Sequence, residues 1–435
     1  MPVEETEMSE MKKIVIGFLG CGNVGSGVWK LLEGFRDDIA HRCSLEIEVR
    51  KILVRSLDKK RSVNAPAHVF TTDPADVVEN PDIQMVLEFL GGEQPATDYM
   101  LRALNQGKTV ITANKVALAM NWHLLQKAAE DHGCGLYYEA SVGGAIPVIQ
   151  TLGTALNANR IDKLMAIING TTNYILSRMT SDGEDYDTVL KEAQRLGLAE
   201  PDPSSDVEGM DAACKLSIMA SLAFHGRVTY SMVSREGITG VSAEDIAMGR
   251  EMGLVLKPLA IAKREQDTLE IRVHPTFLPR SHPLASVNGS FNAVFLKGHA
   301  CQEMMLQGRG AGDMPTASAI VGDLLHAASV STHLHPTFRN TASPDPALTF
   351  TDNWTTRYYI RLSATDTVGV LARVADGFAR CNVSIASMVQ KDADTQGRVP
   401  LILVTHPAPE HALRAAVQGL DPEICRVESV IRVEE

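Results

Sequence analysis

The apolar run Ile14-Val-Ile-Gly-Phe-Leu19 breaks abruptly into Gly20-Cys21-Gly22-Asn23-Val24-Gly25, and no other feature constrains the chain so tightly. Apolar residues without polar alternation read as a strand buried on both faces, as in parallel sheets. The three glycines then have separate physical jobs. One makes the tight turn, one lets the backbone approach a pyrophosphate, and one packs the following helix, read over Gly25 to Leu32, against the strand. That helix start offers free N–H groups and the positive end of its dipole to phosphate oxygens. Between a strand and a helix, such a loop reads as a dinucleotide site; in an arbitrary turn it would mean little.

The same rhythm continues. Ile47 to Val54, Met85 to Leu90 (ending in Gly91-Gly92), Thr109 to Thr112 and Leu136 to Glu139 read as strands, and a helix through Met100 to Leu104 closes with Gly107. Strands alternating with helices predict a Rossmann-type, doubly wound parallel sheet over residues 11–142. Residues 143–309 change character and read as an α+β unit. They hold a helix over Val207 to His225, stopped by Gly226, and a strand-like stretch over Thr268 to Lys297, punctuated by Pro275, Pro279 and Pro283. Residues 329–356, rich in Ser, Thr, Pro and Asn, read as a linker. Residues 357–435 alternate as βαββαβ, a ferredoxin-like sandwich.

Length, charge and cysteines bound the rest. A chain of 435 residues suggests roughly three domains. A net charge of −12 argues against a nucleic-acid partner, which would want a basic face. Seven scattered cysteines without a C-x-x-C pair suit reduced thiols better than disulfides or zinc. No apolar run approaches the roughly 18 residues needed to cross a bilayer, and Met1 to Glu10 is unlike a signal peptide. The expectation is a soluble, cytoplasmic protein with neither nucleic acid nor membrane as partner.

The second strand ends Ile52-Leu53-Val54-Arg55-Ser56, without the acid that holds a ribose 2′-hydroxyl. Arg55, helped by Lys59 or Lys60, suits a 2′-phosphate, which favours NADP(H) while leaving NAD(H) open. Reducing a carbonyl by hydride also needs a proton donor and positive charge beside the developing alkoxide. Lys115 follows a strand's carboxyl end, where open α/β sheets bind ligands. Asp211 and Lys215 stand four residues apart, on one face of an apolar helix. Taken alone, Lys115 reads as a solvated charge and the Asp211–Lys215 couple equally as an ordinary ion pair. The polar run Asn169-Gly-Thr-Thr-Asn173 can supply amide and hydroxyl contacts. His274 and His282 each precede a proline and read as structural loop residues, and Cys21 as a small residue that fits its loop.

Together these segments resemble homoserine dehydrogenase, from Lys13 to the end of the chain. The resemblance is carried by Gly17 to Gly25, Thr112-Ala-Asn-Lys115, Tyr138 to Pro147, Asn169 to Asn173, Glu200 to Lys215, Val273-His-Pro-Thr276, His282 to Asn288 and Gly310 to Ala317. It implies reversible reduction of L-aspartate 4-semialdehyde to L-homoserine, in the synthesis of threonine, methionine and isoleucine. Lys215 matches the family's proton donor, Asp211 the carboxylate one turn before it, and Lys115 a lysine touching cofactor and substrate. Glu200 matches the acid gripping the substrate's amino group, Asp206 a second substrate-side carboxylate and Thr171 a polar contact. Residues 310–328 match a segment returning to the nucleotide unit, with Gly312 near the nicotinamide. The cofactor set is then Leu19, Gly20, Cys21, Gly22, Asn23, Val24, Gly25, Arg55, Gly91, Lys115 and Gly312.

The resemblance also implies a monovalent cation, sodium, held by Glu139, Val142, Gly144 and Ile146, mostly through backbone carbonyls. It further implies that the terminal unit is an ACT domain. Its ligand, L-threonine, would meet Asp366, Val368, Gly369, Asn382 and Ile385 in a homodimer or homotetramer. Two other readings were open. A phosphorylating semialdehyde dehydrogenase needs an activated cysteine, and none stands in such a setting. A catalytically silent amino-acid sensor would not need the lysines and carboxylates, all of which are present.

Overall fold

The computed structural model describes residues 11–330, 348–393 and 397–435. The opening apolar run becomes strand β1 (Lys12–Leu19), followed by α1 (Asn23–Gly34), β2 (Leu45–Leu53), β3 (Phe70–Thr71), β4 (Met85–Glu88), α2 (Ala96–Asn105), β5 (Thr109–Thr112), α3 (Lys115–Asp131) and β6 (Leu136–Tyr137). All six strands are parallel, in the order β3-β2-β1-β4-β5-β6. The order reverses between β1 and β4, so a crevice opens where their carboxyl ends carry Gly20 and the loop after Glu88. Ile14, Ile16 and Phe18 are buried in a core with Val28 and Leu32 of α1. The expected strand over Leu136 to Glu139 stops at Tyr137, and Glu139 opens a 3-10 turn.

A second sheet begins with β7 (Ile161–Ile167) and the helices α4 (Gly170–Asp182) and α5 (Met210–Ala223). Then come β8 (Ser234–Arg235), α6 (Ala243–Glu251), β9 (Leu254–Glu265), β10 (Thr268–Pro279), β11 (Phe291–Gly298), β12 (Gln302–Arg309) and α7 (Asp313–Ser329). The chain ends in β13 (Thr349–Thr351), β14 (Thr355–Thr365), α8 (Val370–Arg380), β15 (Ile385–Gln390), β16 (Arg398–Thr405), β17 (Ala408–Pro409), α9 (Glu410–Gln418) and β18 (Cys425–Val433). The main path through this sheet of twelve strands is β12-β11-β7-β9-β10-β18-β14-β16-β15.

Four expectations need correction. The helix read from Val207 to His225 is broken at Gly209, whose φ of 81° is left-handed, so α5 starts at Met210. His274 is not in a loop: it is buried in the middle of β10, and the strand runs through Pro275 to Pro279. The proline is tolerated because Pro275 lies opposite Pro258, so the two residues that lack an N–H share one rung and strand no donor. The later part of the expected linker is ordered: Leu348 and Trp354 are buried and β13 pairs with β10. Its residues 331–347 lie outside the described residues.

The fourth correction concerns the terminal unit. Its element order is βαββαβ with one additional two-residue strand, but its sheet does not stand apart. β18 joins β10 in parallel at Arg432 and Val433, making one sheet of both units. Buried charges seal the seam. Arg272 donates to Glu434, Lys263 meets Glu434 at 2.6 Å, and Arg432 bridges Glu410 and Glu236.

α7 returns to the first unit. Ala317, Ile320 and Leu324 enter the α1 core, and a Cβ at Gly27 would lie 2.9 Å from the Asp313 carbonyl oxygen. Among the described residues no helix is long and apolar enough to cross a membrane.

Candidate active site

The glycine loop is shaped for a large ligand. Gly20 has φ 106°, and a Cβ at Gly25 would lie 2.8 Å from the Gly20 carbonyl oxygen, so both positions require glycine. Gly22 caps α1 without a side chain, and nothing would lie within 4 Å of a Cβ there. The N–H groups of Asn23, Val24 and Gly25 therefore begin a helix whose end is an open cradle. Leu19 is buried at the end of β1. Burial raises the Cys21 thiol, whose sulfur lies 3.8 Å from the Ser26 hydroxyl, so it rests as a neutral thiol.

Arg55 stands exposed just beyond β2, with no ion-pair partner among the described residues. Arg61, absent from the sequence candidates, folds back on the same loop, donating to the Ser56 and Lys59 carbonyls and covering the Phe70 ring at 5.0 Å. The cluster Lys59-Lys60-Arg61 was the signal for it. Gly91 turns after β4 with φ 73°, and Gly312 begins α7 with φ 128°.

The second half of the site is a charge cluster. Asn114 caps α3 by accepting the Ala117 N–H at 3.0 Å, which fixes Lys115 as the first helical residue. The Lys115 ammonium meets Asp211 Oδ1 at 2.6 Å; Lys215, one turn along α5, meets Asp211 Oδ2 at 2.7 Å. Lys215 also donates to the Ile168 carbonyl at 3.0 Å. Burial alone would raise the Asp211 carboxyl, but the two ammonium groups hold it well below the usual carboxylate range. Lys115 is raised: burial opposes its charge, and Asp211 outweighs that.

Asn169 ties the cluster together. Its Nδ2 donates to Asp206 at 2.7 Å and to Asp211 at 2.9 Å, while its Oδ1 caps α4 at the Thr172 N–H. The cap dictates which way the amide faces, so its donor end points at the carboxylates. The sequence marked Asn169 only as one of a polar run. The structure thus gathers Lys115, Asp206, Asp211 and Lys215 at one point. It leaves Thr171 donating to the Leu198 carbonyl at 2.7 Å and Glu200 exposed, its carbonyl accepting from the Gln194 amide.

Glu139, Val142, Gly144 and Ile146 share one turn, with Gly144 at φ 59°. A Cβ at Gly144 would lie 2.7 Å from the Arg309 carbonyl oxygen, so this turn abuts the end of β12. The Glu139 carboxylate accepts the Ile149 and Gln150 N–H groups, each at 2.8 Å. Burial still pushes its carboxyl up to about 7. Among the described residues no group of His, Cys, Asp and Glu is arranged to hold a metal ion. Any ion in this turn would rest on carbonyl oxygens.

In the terminal unit, Asp366, Val368 and Gly369 are exposed before α8, and Asn382 and Ile385 lie beyond its far end. Eleven helical residues span about 16 Å. The two groups therefore stand at opposite ends of α8.

Two family models match the chain: "Homoserine dehydrogenase, NAD binding domain" over residues 20–139 and "Homoserine dehydrogenase" over residues 147–325. The homoserine dehydrogenase of Synechocystis is 43% identical over 97% of this chain and 99% of its own. The crystal structure of a homoserine dehydrogenase from Thiobacillus denitrificans superposes with a TM-score of 0.91 at 39% identity, covering 98% of this chain and 99% of that one. A hyperthermophilic archaeal homoserine dehydrogenase, solved in complex with NADPH, superposes with a TM-score of 0.62 at 25% identity, over 74% of this chain and all of that one.

Proposed function

The chain belongs to the homoserine dehydrogenase family, and from that premise we propose which of its residues reduce L-aspartate 4-semialdehyde to L-homoserine, a step of amino-acid biosynthesis. One observation carries the assignment: Asp211 divides its two oxygens between Lys115 and Lys215. Such a carboxylate holds two ammonium groups close together inside a buried site.

A bound nicotinamide supplies the hydride that the carbonyl carbon accepts. Lys215 gives its proton to the oxygen that becomes the hydroxyl, and takes one back in the reverse reaction. Lys115 adds a second positive charge beside that oxygen, at the crevice where the cofactor enters. Asp211 is not the acid; it holds both lysines. Asp206 and Glu200 offer negative charge to the substrate's ammonium group, and Thr171 a polar contact at the same edge.

The open cradle over Gly20 to Gly25 fits a pyrophosphate. Leu19, Cys21 and Gly91 border it, and Gly312 approaches from α7. Exposed Arg55, which has no ion-pair partner among the described residues, supports NADP(H) over NAD(H), since a 2′-phosphate would supply an anion. Glu139, Val142, Gly144 and Ile146 would hold sodium. Their hard oxygens suit such an ion, and its charge would offset the burial of Glu139. Its role would be to fix the turn against β12.

We further read residues 357–435 as an ACT domain for L-threonine. Asp366, Val368 and Gly369 of one copy would face Asn382 and Ile385 of another, in a homodimer or homotetramer. The test is NADPH consumption with aspartate semialdehyde, with and without threonine. A rate that threonine lowers supports both parts. A rate indifferent to threonine removes the regulatory part, and no rate with any aldehyde would favour a silent sensor.

A further inference from the structure

Glu88 ends β4 at the crevice and takes no part in the chemistry above. Its side chain is fully buried, and no cation pairs with it among the described residues. Instead, donors converge on it. The Leu90 N–H reaches Oε1 at 2.7 Å, the Asn114 amide approaches the same oxygen at 3.4 Å, and the Thr112 hydroxyl donates to Oε2 at 2.6 Å. That hydroxyl also accepts the Asn114 N–H at 2.9 Å, so it ties Glu88 to the turn that carries Asn114. Burial holds the Glu88 carboxyl above its ordinary value, and the Thr112, Leu90, Asn114 and Gly91 donors only partly offset that rise.

These donors lie on two arms. One is the loop Leu90–Gly92, whose Gly91 and Gly92 both take left-handed φ, at 73° and 72°. The other is Asn114, whose Nδ2 also holds the Gly92 carbonyl at 2.7 Å and whose Oδ1 caps the helix that begins with Lys115. Glu88 and Thr112 are direct partners across β4 and β5, so the anchor is part of the sheet itself.

We propose that Glu88 is a positioning residue for the reduction, holding the loop that borders the cofactor crevice and the helix start that presents Lys115 to Asp211. The proposal rests on the reading of Lys115 as a member of the reacting site. Replacing the carboxylate strands donors on both arms at once, and a displacement of about 1 Å at a reacting group can cost a hundredfold in rate.

The experiment takes the full-length enzyme with Glu88→Ala, Glu88→Gln and Thr112→Val, each also combined with Lys115→Ala. It measures NADPH affinity by titration calorimetry, kcat and KM by NADPH oxidation, and folding by circular dichroism. Glu88→Ala is expected to weaken NADPH about tenfold and lower kcat about ten- to a hundredfold, with Glu88→Gln and Thr112→Val in between. In the Lys115→Ala background the kcat loss should largely vanish, because both changes act through one lysine. A residue that merely stabilised the fold would instead multiply its loss. Folded variants with NADPH affinity and kcat within about twofold of the parent would overturn the proposal, as would full multiplication of the losses. Should Glu88→Ala not fold, Thr112→Val, close in volume, carries the same criteria. If Lys115→Ala alone keeps its kcat, the reading of Lys115 fails, and Glu88 is then judged on NADPH affinity alone.

Discussion

Lys115 and Asp211 lie 96 positions apart in sequence on two different units, and their 2.6 Å contact joins the start of α3 to the buried helix α5. The contact makes the reacting cluster a joint property of both units. Neither half of the chain holds a complete site.

Lys215→Ala should therefore abolish turnover without unfolding the protein. Asp211 would keep Lys115 and the Asn169 amide as partners, so no buried charge is orphaned. Loss of a positioned proton donor costs about a hundred- to ten-thousand-fold in kcat. Steady-state rates beside an unchanged circular dichroism melt check this; a variant retaining most of its kcat would remove Lys215 from its role.

Arg55→Asp should raise the KM for NADPH far more than that for NADH, because the exposed arginine has only a 2′-phosphate to distinguish the two cofactors. A shift of about tenfold or more in the ratio is expected, in line with the loss of a charge-assisted contact. Equal effects on both cofactors would dismiss the contact. Arg61, folded onto the same loop, is the next residue to exchange.

Gly209→Ala should disturb the site more than the fold. The position has φ 81°, and an added Cβ would lie 3.2 Å from Val273 Cγ1. The strain costs about 1–2 kcal/mol, and it falls between Asp206 and Asp211, whose spacing the Asn169 amide bridges. A kcat loss of about tenfold with a small fall in Tm is the expected pattern. The reverse pattern would mean that Gly209 serves packing alone.

Acid should strike the seam of the large sheet. Burial would raise Glu434, but Arg272 and Lys263 lower it from 4.5 to about 2. A carboxylate depressed in the folded state contributes stability that is fully present above its unfolded value and is lost as pH falls through the folded one. The window here runs from about pH 4.5 down to 2, with a contribution of the order of 3 kcal/mol. Urea midpoints across that range should fall less steeply in Glu434→Gln than in the parent, from a lower start near neutrality. Parallel curves would count against the assignment.

How far the sequence could be read follows from the range of the forces involved. The run Ile14 to Leu19 and its glycines are local signals, and the structure keeps them nearly residue for residue. Lys215 was visible because its partner Asp211 stands four residues away on one helix. Its second partner chain, through Asn169 and Lys115, was not, since such contacts depend on how units dock. Pro275 pointed to a loop because a lone proline disfavours a central strand, and only the register placing Pro258 opposite removes the objection. Strand β9 has no reading in the sequence, because Pro258 interrupts it and it lacks clean alternation. The junction of β18 with β10 leaves no local trace at all.

That junction has a bearing on how the protein is made. β10 acquires its neighbour β18 only after about 150 further residues have been added to the growing chain. Until then the Thr276–Phe277 edge of β10 and the Arg272 guanidinium must wait without β18 and Glu434. On the ribosome, this stretch of the large sheet can therefore be completed only once β18 has been synthesised.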